Sequence, residues 1–213
     1  MAIKFGETKG KAQRNSVDSY AYKDGENSVR LVGGVLPRYV YWVKGTNDKD
    51  IPIECLSFDR EKEKFTNVET DHVPEYHPDK KCSWAYSINC IDPSDGKVKV
   101  LNLKKKLFQQ ILSAAEDLGD PTDPKEGWDV VFKKEKTGPL PFNVEYTLSV
   151  LRCKKRPLNT AELEAVAAAT DIDELYPRPT AAEIKTLLDR IAAGPDADDD
   201  NSGADKEAVS DLT

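Results

Sequence analysis

The chain has 213 residues, with 31 Lys and Arg against 38 Asp and Glu and a net charge of −7. About 38% of its residues are apolar, sufficient for one packed core with appendages. No apolar run approaches the roughly 18–20 residues that a membrane-spanning helix needs, which excludes that class.

In chain order, residues 1–28 are polar and weakly periodic and are expected to form a flexible arm. MAIKFGETKGKAQRNS has no apolar h-region, so no secretory signal is expected. Cys55, Cys82, Cys90 and Cys153 then read as thiols in a reducing cytoplasm rather than a disulfide framework. Residues 29–157 are expected to hold the β domain. SVRLVGG and PRYVYWVKG are β-branched and aromatic and bounded by glycines, IPIECLSFD alternates, and all three read as strands. Residues 59–81 form a long polar connection, a length that usually carries function. SWAYSINCID and KVKVLNL, joined by PSDG, read as a hairpin. A helix should follow, with Leu107, Ile111, Ala115 and Leu118 on one face, Phe108 and Leu112 widening it, and Gly119 ending it. Two more strands flank the KTGPLP turn.

Residues 158–194 are helical in grammar. Asn159–Glu162 and Thr180–Glu183 have capping-box spacing, and Ile184, Leu187, Leu188 and Ile191 share a face. Residues 195–213 are too acidic and too poor in apolar side chains to order themselves. The fold class is thus mostly β with helical additions: an antiparallel barrel of five or more strands, or a sandwich, then C-terminal helices and a disordered acidic tail.

The charge is unevenly spread. Residues 1–28 carry 5 basic and 4 acidic side chains, residues 29–157 carry 22 and 20, and residues 158–213 carry 4 and 14. The β region is therefore balanced, and its cations are clustered. No phosphate-loop, dinucleotide, HExxH or nucleophile-elbow motif is present. The carboxylates show no spacing that selects a two-metal nuclease site. A non-enzyme is expected. His72, His77, Cys82 and Cys90 are the right atom types for zinc, but no CxxC accompanies them. The plainer reading is a buried thiol and two solvated histidines, with no cofactor.

What recurs is an aromatic ring beside cations. Tyr41 and Trp42 lie beside Arg30, Arg38 and Lys44. Trp84 and Tyr86 precede the Lys104-Lys105-Lys106 run. Trp128 and Phe132 precede Lys134 and Lys136. Arg152, Lys154, Lys155 and Arg156 close the β region. Proteins that coat single strands pair these types: cations follow the phosphates and rings stack on unpaired bases, largely without reading sequence. The plain alternative is core aromatics with solvated lysines. Consecutive helical residues point about 100° apart, so one or two of the three lysines should reach a phosphate. A tethered anionic tail could compete for the same cations.

The order of these segments carries a resemblance. VRLVGG with PRYVYWV, then WAYSINCIDPSDGKVKVLNLKKKLFQQIL, then GWDVVFKKEKTGPLPFNVEYTLSV, then DELYPRPTAAEIKTLL before acid, resembles the phage single-stranded DNA-binding proteins of the T-even type, in a shorter form. The resemblance implies an oligonucleotide/oligosaccharide-binding (OB) barrel. It implies a role in phage DNA replication, recombination and repair, in the cytoplasm of the infected bacterium. It also implies partner proteins met through the acidic tail and self-association through a basic arm, here KGKAQRNS. Family members hold a structural zinc in a loop that here offers His72, His77 and Cys82 but no close Cys pair. The rival expectations are a virion or replisome adaptor and a metal-dependent nuclease.

Overall fold

The computed structural model describes residues 18–140 and 143–194. Strand β1 (Gly25–Leu36) organises the fold. It pairs antiparallel with β9 (Asp129–Lys136) through its first half and with β7 (Ser87–Asp92) from Arg30 to Leu36. Strand β8 (Lys97–Asn102) joins β7, and β10 (Val144–Leu148) joins β9. The result is a five-stranded antiparallel sheet in the order β10-β9-β1-β7-β8. The register of β1 on β7 shifts between Val32 and Val35. Gly33 supplies the left-handed φ of 73° that this bulge uses, a conformation costly to any residue with a Cβ.

A second, three-stranded sheet holds β3 (Asp50–Glu54), β2 (Tyr39–Lys44) and β6 (Ser83–Trp84). Strands β4 (Phe58–Asp59) and β5 (Lys64–Phe65) make a small hairpin. Two segments expected as single strands are each divided. IPIECLSFD turns at Leu56–Ser57 between β3 and β4. SWAYSINCID changes sheets, so that β6 pairs with β2 and β7 with β1. The polar connection 59–81 is not structureless, since it contains β5 and helix α1 (Val73–Tyr76).

Helix α2 (Lys105–Leu118) buries Leu107, Ile111 and Ala114 and stops at Gly119, whose φ is 80°. Leu112, expected on the apolar stripe, is 53% exposed, because it stands about 100° around the helix from Ile111. The capping boxes of α3 (Thr160–Ala168) and α5 (Ala181–Ala193) are both formed. Between them lies α4 (Ile172–Leu175). Ile184 and Leu188 of α5 join the main core with Val29, Leu31, Ile88, Trp128 and Phe132. Leu158 packs on Val32 and Ile91, and Ile172 packs on Leu36 and Val100. Leu158 with α3, and α4, therefore cover β1's second face at Val32 and Leu36, while α5 packs on the main core. No helix among the described residues is long and apolar enough to cross a membrane.

Residues 18–28, expected within the flexible arm, are packed. Tyr20 N–H donates to Val100 O and Val100 N–H donates to Asp18 O, both at 2.8 Å. Tyr20 is buried. This short parallel bridge covers the outer edge of β8. The outer edge of β10 is covered by the amide of Gln110 in α2, which donates to Tyr146 O at 3.1 Å and accepts from Leu148 N–H at 2.7 Å. Both ends of the sheet are thereby closed to further strand pairing.

The β7–β8 turn carries a buried ion cluster. Asp92 accepts from Ser94 Oγ at 2.6 Å and from Lys99 Nζ at 2.8 Å. Burial alone would raise its pKa, but the hydrogen bonds from Lys99 and Ser94 outweigh burial and hold it at about 2. A depressed carboxylate stabilises the fold above its unfolded value, near 4, and loses that contribution as pH falls toward 2. Between pH 5 and pH 2 the wild type should therefore lose about 2 kcal/mol more stability than Asp92→Asn, as read by urea unfolding at each pH. Parallel curves would show that Asp92 is not the group responsible.

Candidate nucleic-acid interface

Three lysines stand at the start of α2. Lys104 is its N-cap, with extended backbone and no side-chain cap bond, and there is no acid in the first turn. A helix favours anions at this end, where its free N–H groups and dipole are positive. Three cations here work against helix stability, by up to a few tenths of a kcal/mol or more each. Their placement needs a reason other than folding.

The facing wall is the β9–β10 hairpin. Cross-strand pairs set Tyr146 opposite Lys134 and Val144 opposite Lys136 on one face. Together Lys104, Lys105, Lys106, Thr137, Val144, Glu145 and Tyr146 line an open cleft of about 430 Å³. Lys104 Nζ lies 5.4 Å from the Tyr22 ring centre and 6.0 Å from that of Tyr146. Lys105 Nζ lies 5.9 Å from the Trp84 ring. Burial first, and then the charge of Lys134, push the Lys104 pKa down. An incoming anion would favour the charged lysine and so oppose both effects. Among the described residues Lys104, Lys105, Lys106 and Lys136 form no ion pair. Lys134 is held by Asp24 at 2.8 Å and donates to Tyr22 O.

The other expected contacts lie elsewhere. Arg30 is 1% exposed. Its Nη2 donates to Asp123 O at 2.6 Å beneath the 119–127 loop, and its Nε and Nη1 have no partner among the described residues. It alternates with Val29 and Leu31 onto the covered face of β1, so it is not a surface cation. Arg38 is half-buried and stacks 4.0 Å over the Tyr176 ring. Tyr41 is a core residue that donates to Asp71 Oδ2 at 3.0 Å. Tyr86 is 4% exposed and lies under Trp84, with ring centres 3.5 Å apart and planes at 11°. One face of the Tyr86 ring is thus covered by Trp84. Trp42 is 38% exposed and, with Lys44, occupies the face of β2 opposite Tyr39 and Tyr41. Lys44 is engaged by Asp50 at 3.2 Å. Arg152 and Arg156 are consumed by Glu26, and by Asp129 and Glu162.

The zinc candidates do not converge. His72 Nδ1 lies 3.1 Å from Glu75, His77 is the C-cap of α1, and Cys90 is buried in β7. Among the described residues no group of three His, Cys, Asp or Glu side chains could hold a metal. All four cysteines are free thiols.

No protein-family model matches the chain, and no solved structure matches it. It is 30% identical to a probable ssDNA-binding protein of Escherichia phage T5, over 261 aligned positions that span 100% of this chain and 99% of the relative. The chain belongs to that protein's family. The family relation spans the β region and the C-terminal helices alike.

Two rings beside Lys104, Tyr22 and the cleft-lining Tyr146, escaped sequence reasoning. Tyr22 lies in a segment read as part of the arm, although the alternation of Tyr20 and Tyr22 in SYAYKD is a strand-like signal. Tyr146 lies in NVEYTL, where Val144, Tyr146 and Leu148 alternate onto one face. KGKAQRNS and the acidic stretch 195–213 lie outside the described residues.

Proposed function

We propose that this protein binds single-stranded DNA without strong sequence preference and without catalysing a reaction on it. The observation that carries this reading is the lysine triplet, set at the wrong end of a helix for stability and facing Tyr146 across an open cleft, with the Tyr22 ring 5.4 Å from Lys104 Nζ. Lys104, Lys105 and one flank of Lys134–Lys136 contact phosphates, while Tyr146 and Trp84 offer ring faces. The relative in Escherichia phage T5, a probable ssDNA-binding protein, supports the same reading. The finer parts of the proposal are an OB-type barrel of the T-even kind, a role in coating exposed strands during phage DNA replication, recombination and repair inside the infected bacterium, and a tail and arm that meet partner proteins and neighbouring copies. The five-stranded antiparallel sheet supports the OB assignment.

The test is a titration of fluorescently labelled oligo(dT) with the full chain, with and without Mg²⁺. Binding should quench intrinsic tryptophan fluorescence and fall steeply with salt, at a slope of about −0.7 per phosphate neutralised. Duplex of the same length should bind more weakly. Equal affinity for duplex, or a flat salt dependence, would remove the proposal in favour of an adaptor role. Loss of the oligonucleotide in Mg²⁺ would indicate a nuclease. A chain ending at Gly194 belongs in the same titration: tighter binding is expected if the tail competes for the cleft, and unchanged binding would assign it to partners alone.

A further inference from the structure

We propose that Phe65, with Tyr39 and Trp84, forms a second stacking platform for the same strand, on the other side of Lys105 from the Tyr22–Tyr146 cleft. The inference rests on single-stranded DNA being the ligand. Phe65 ends the β4–β5 hairpin and is 54% exposed. Its ring centre is 5.1 Å from Tyr39 and 5.3 Å from Phe58, both edge-on. Tyr39 in turn meets Trp84 at 6.3 Å. The patch is held still from beneath: Trp84 lies flat on Tyr86, and its Nε1 donates to Leu103 O at 3.2 Å. Phe58 already closes the core at this point, being 2% exposed, so a polar residue at position 65 would leave the core covered.

The occupant follows from continuity. Lys104 reaches the rings of Tyr22 and Tyr146, and the next residue, Lys105, reaches the ring of Trp84. Two adjacent cations with no ion-pair partner among the described residues thus join two aromatic clusters. A chain that alternates phosphates with flat apolar bases matches that alternation of charge and ring.

The experiment compares wild type, Phe65→Leu and Phe65→Ala with oligo(dT) of increasing length by anisotropy, with a thermal melt of each variant. Leucine keeps the apolar cover of the hairpin and removes the π-face, so this variant should melt as the wild type does. On the shortest oligonucleotide that binds, all three should be equal. On longer ones the wild type should gain affinity that Phe65→Leu lacks, about tenfold at full length, and Phe65→Trp should restore it. Equal length dependence for wild type and Phe65→Leu overturns the platform while leaving the DNA reading intact. No binding by the wild type at any length overturns both.

Discussion

Lys104→Glu and Lys105→Glu, made together, should reduce affinity for oligo(dT) about a hundredfold at low salt. In the proposed complex each lysine makes a charge-assisted contact worth about 1.5–3 kcal/mol, and a tenfold change corresponds to about 1.4 kcal/mol. The slope of log K against log salt should shrink by about 1.4, the share of two phosphates. The same reversal at Lys80 and Lys81, exposed in the long connection away from the cleft lining, should change affinity only a few-fold. What distinguishes a binding surface from a folding defect is stability. Glutamates at the start of α2 sit where the helix favours negative charge, and a carboxylate at position 104 would face Lys134 instead of repelling it. The double variant should therefore melt at the wild-type temperature or slightly above. A lower melting temperature together with weak binding would trace the loss to unfolding. Unchanged binding would remove the lysine ridge from the interface.

Glu54→Gln should be the most destabilising single change outside the apolar core. Glu54 is 7% exposed and accepts from Arg60 Nε at 2.7 Å and from Arg178 Nη1 at 3.3 Å. The two arginines do more than balance its charge. Arg60 also donates to Tyr176 O at 3.1 Å, and Arg178 donates to Leu56 O at 3.0 Å and Phe58 O at 3.1 Å. The cluster therefore ties the α4–α5 connection to β3 and the turn after it. Glutamine keeps the shape but leaves two guanidinium groups facing each other without the carboxylate between them. Breaking a buried pair in this way costs about 3 kcal/mol, or a fall of roughly 6–12 °C in a protein of this size. Thermal and urea unfolding measure it. The DNA salt slope should not move, since none of these groups lines the cleft. A loss below about 1 kcal/mol would mean that solvent already screens the cluster, as it does exposed pairs.

Much of the fold was legible in the sequence, and the reasons are local. β-Branched and aromatic content in SVRLVGG and WDVVF marks β1 and β9, which are buried on both faces over Val29–Val32 and Val130–Phe132, and the alternating start of KVKVLNL marks β8. Asn159–Glu162 and Thr180–Glu183 mark two helix starts because a capping box satisfies its own donors without tertiary help. Gly119 and Gly194 mark two ends for the same reason, as both adopt positive φ. The division of SWAYSINCID between two sheets was not legible, since either pairing partner suits the same alternation. The packing of Tyr20 and Tyr22 was hidden because their partners, Val100 and Asn102, lie about 80 residues away.

The candidate site divides along the same line. The run Lys104-Lys105-Lys106 between a strand and a helix is a property of the sequence alone, and so is the recurrence of rings beside cations. Which cations face solvent depends on partners distant in the chain. Arg30 disappears under a loop, Arg38 onto Tyr176 and Arg156 between Asp129 and Glu162, while the three lysines keep an open cleft opposite Tyr146. Local patterns state where charges and rings occur because secondary structure is a short-range consequence of side-chain spacing. Only the tertiary pairing of α2 with the β9–β10 hairpin decided which of them form a surface, because burial and ion pairing are made between segments far apart in sequence.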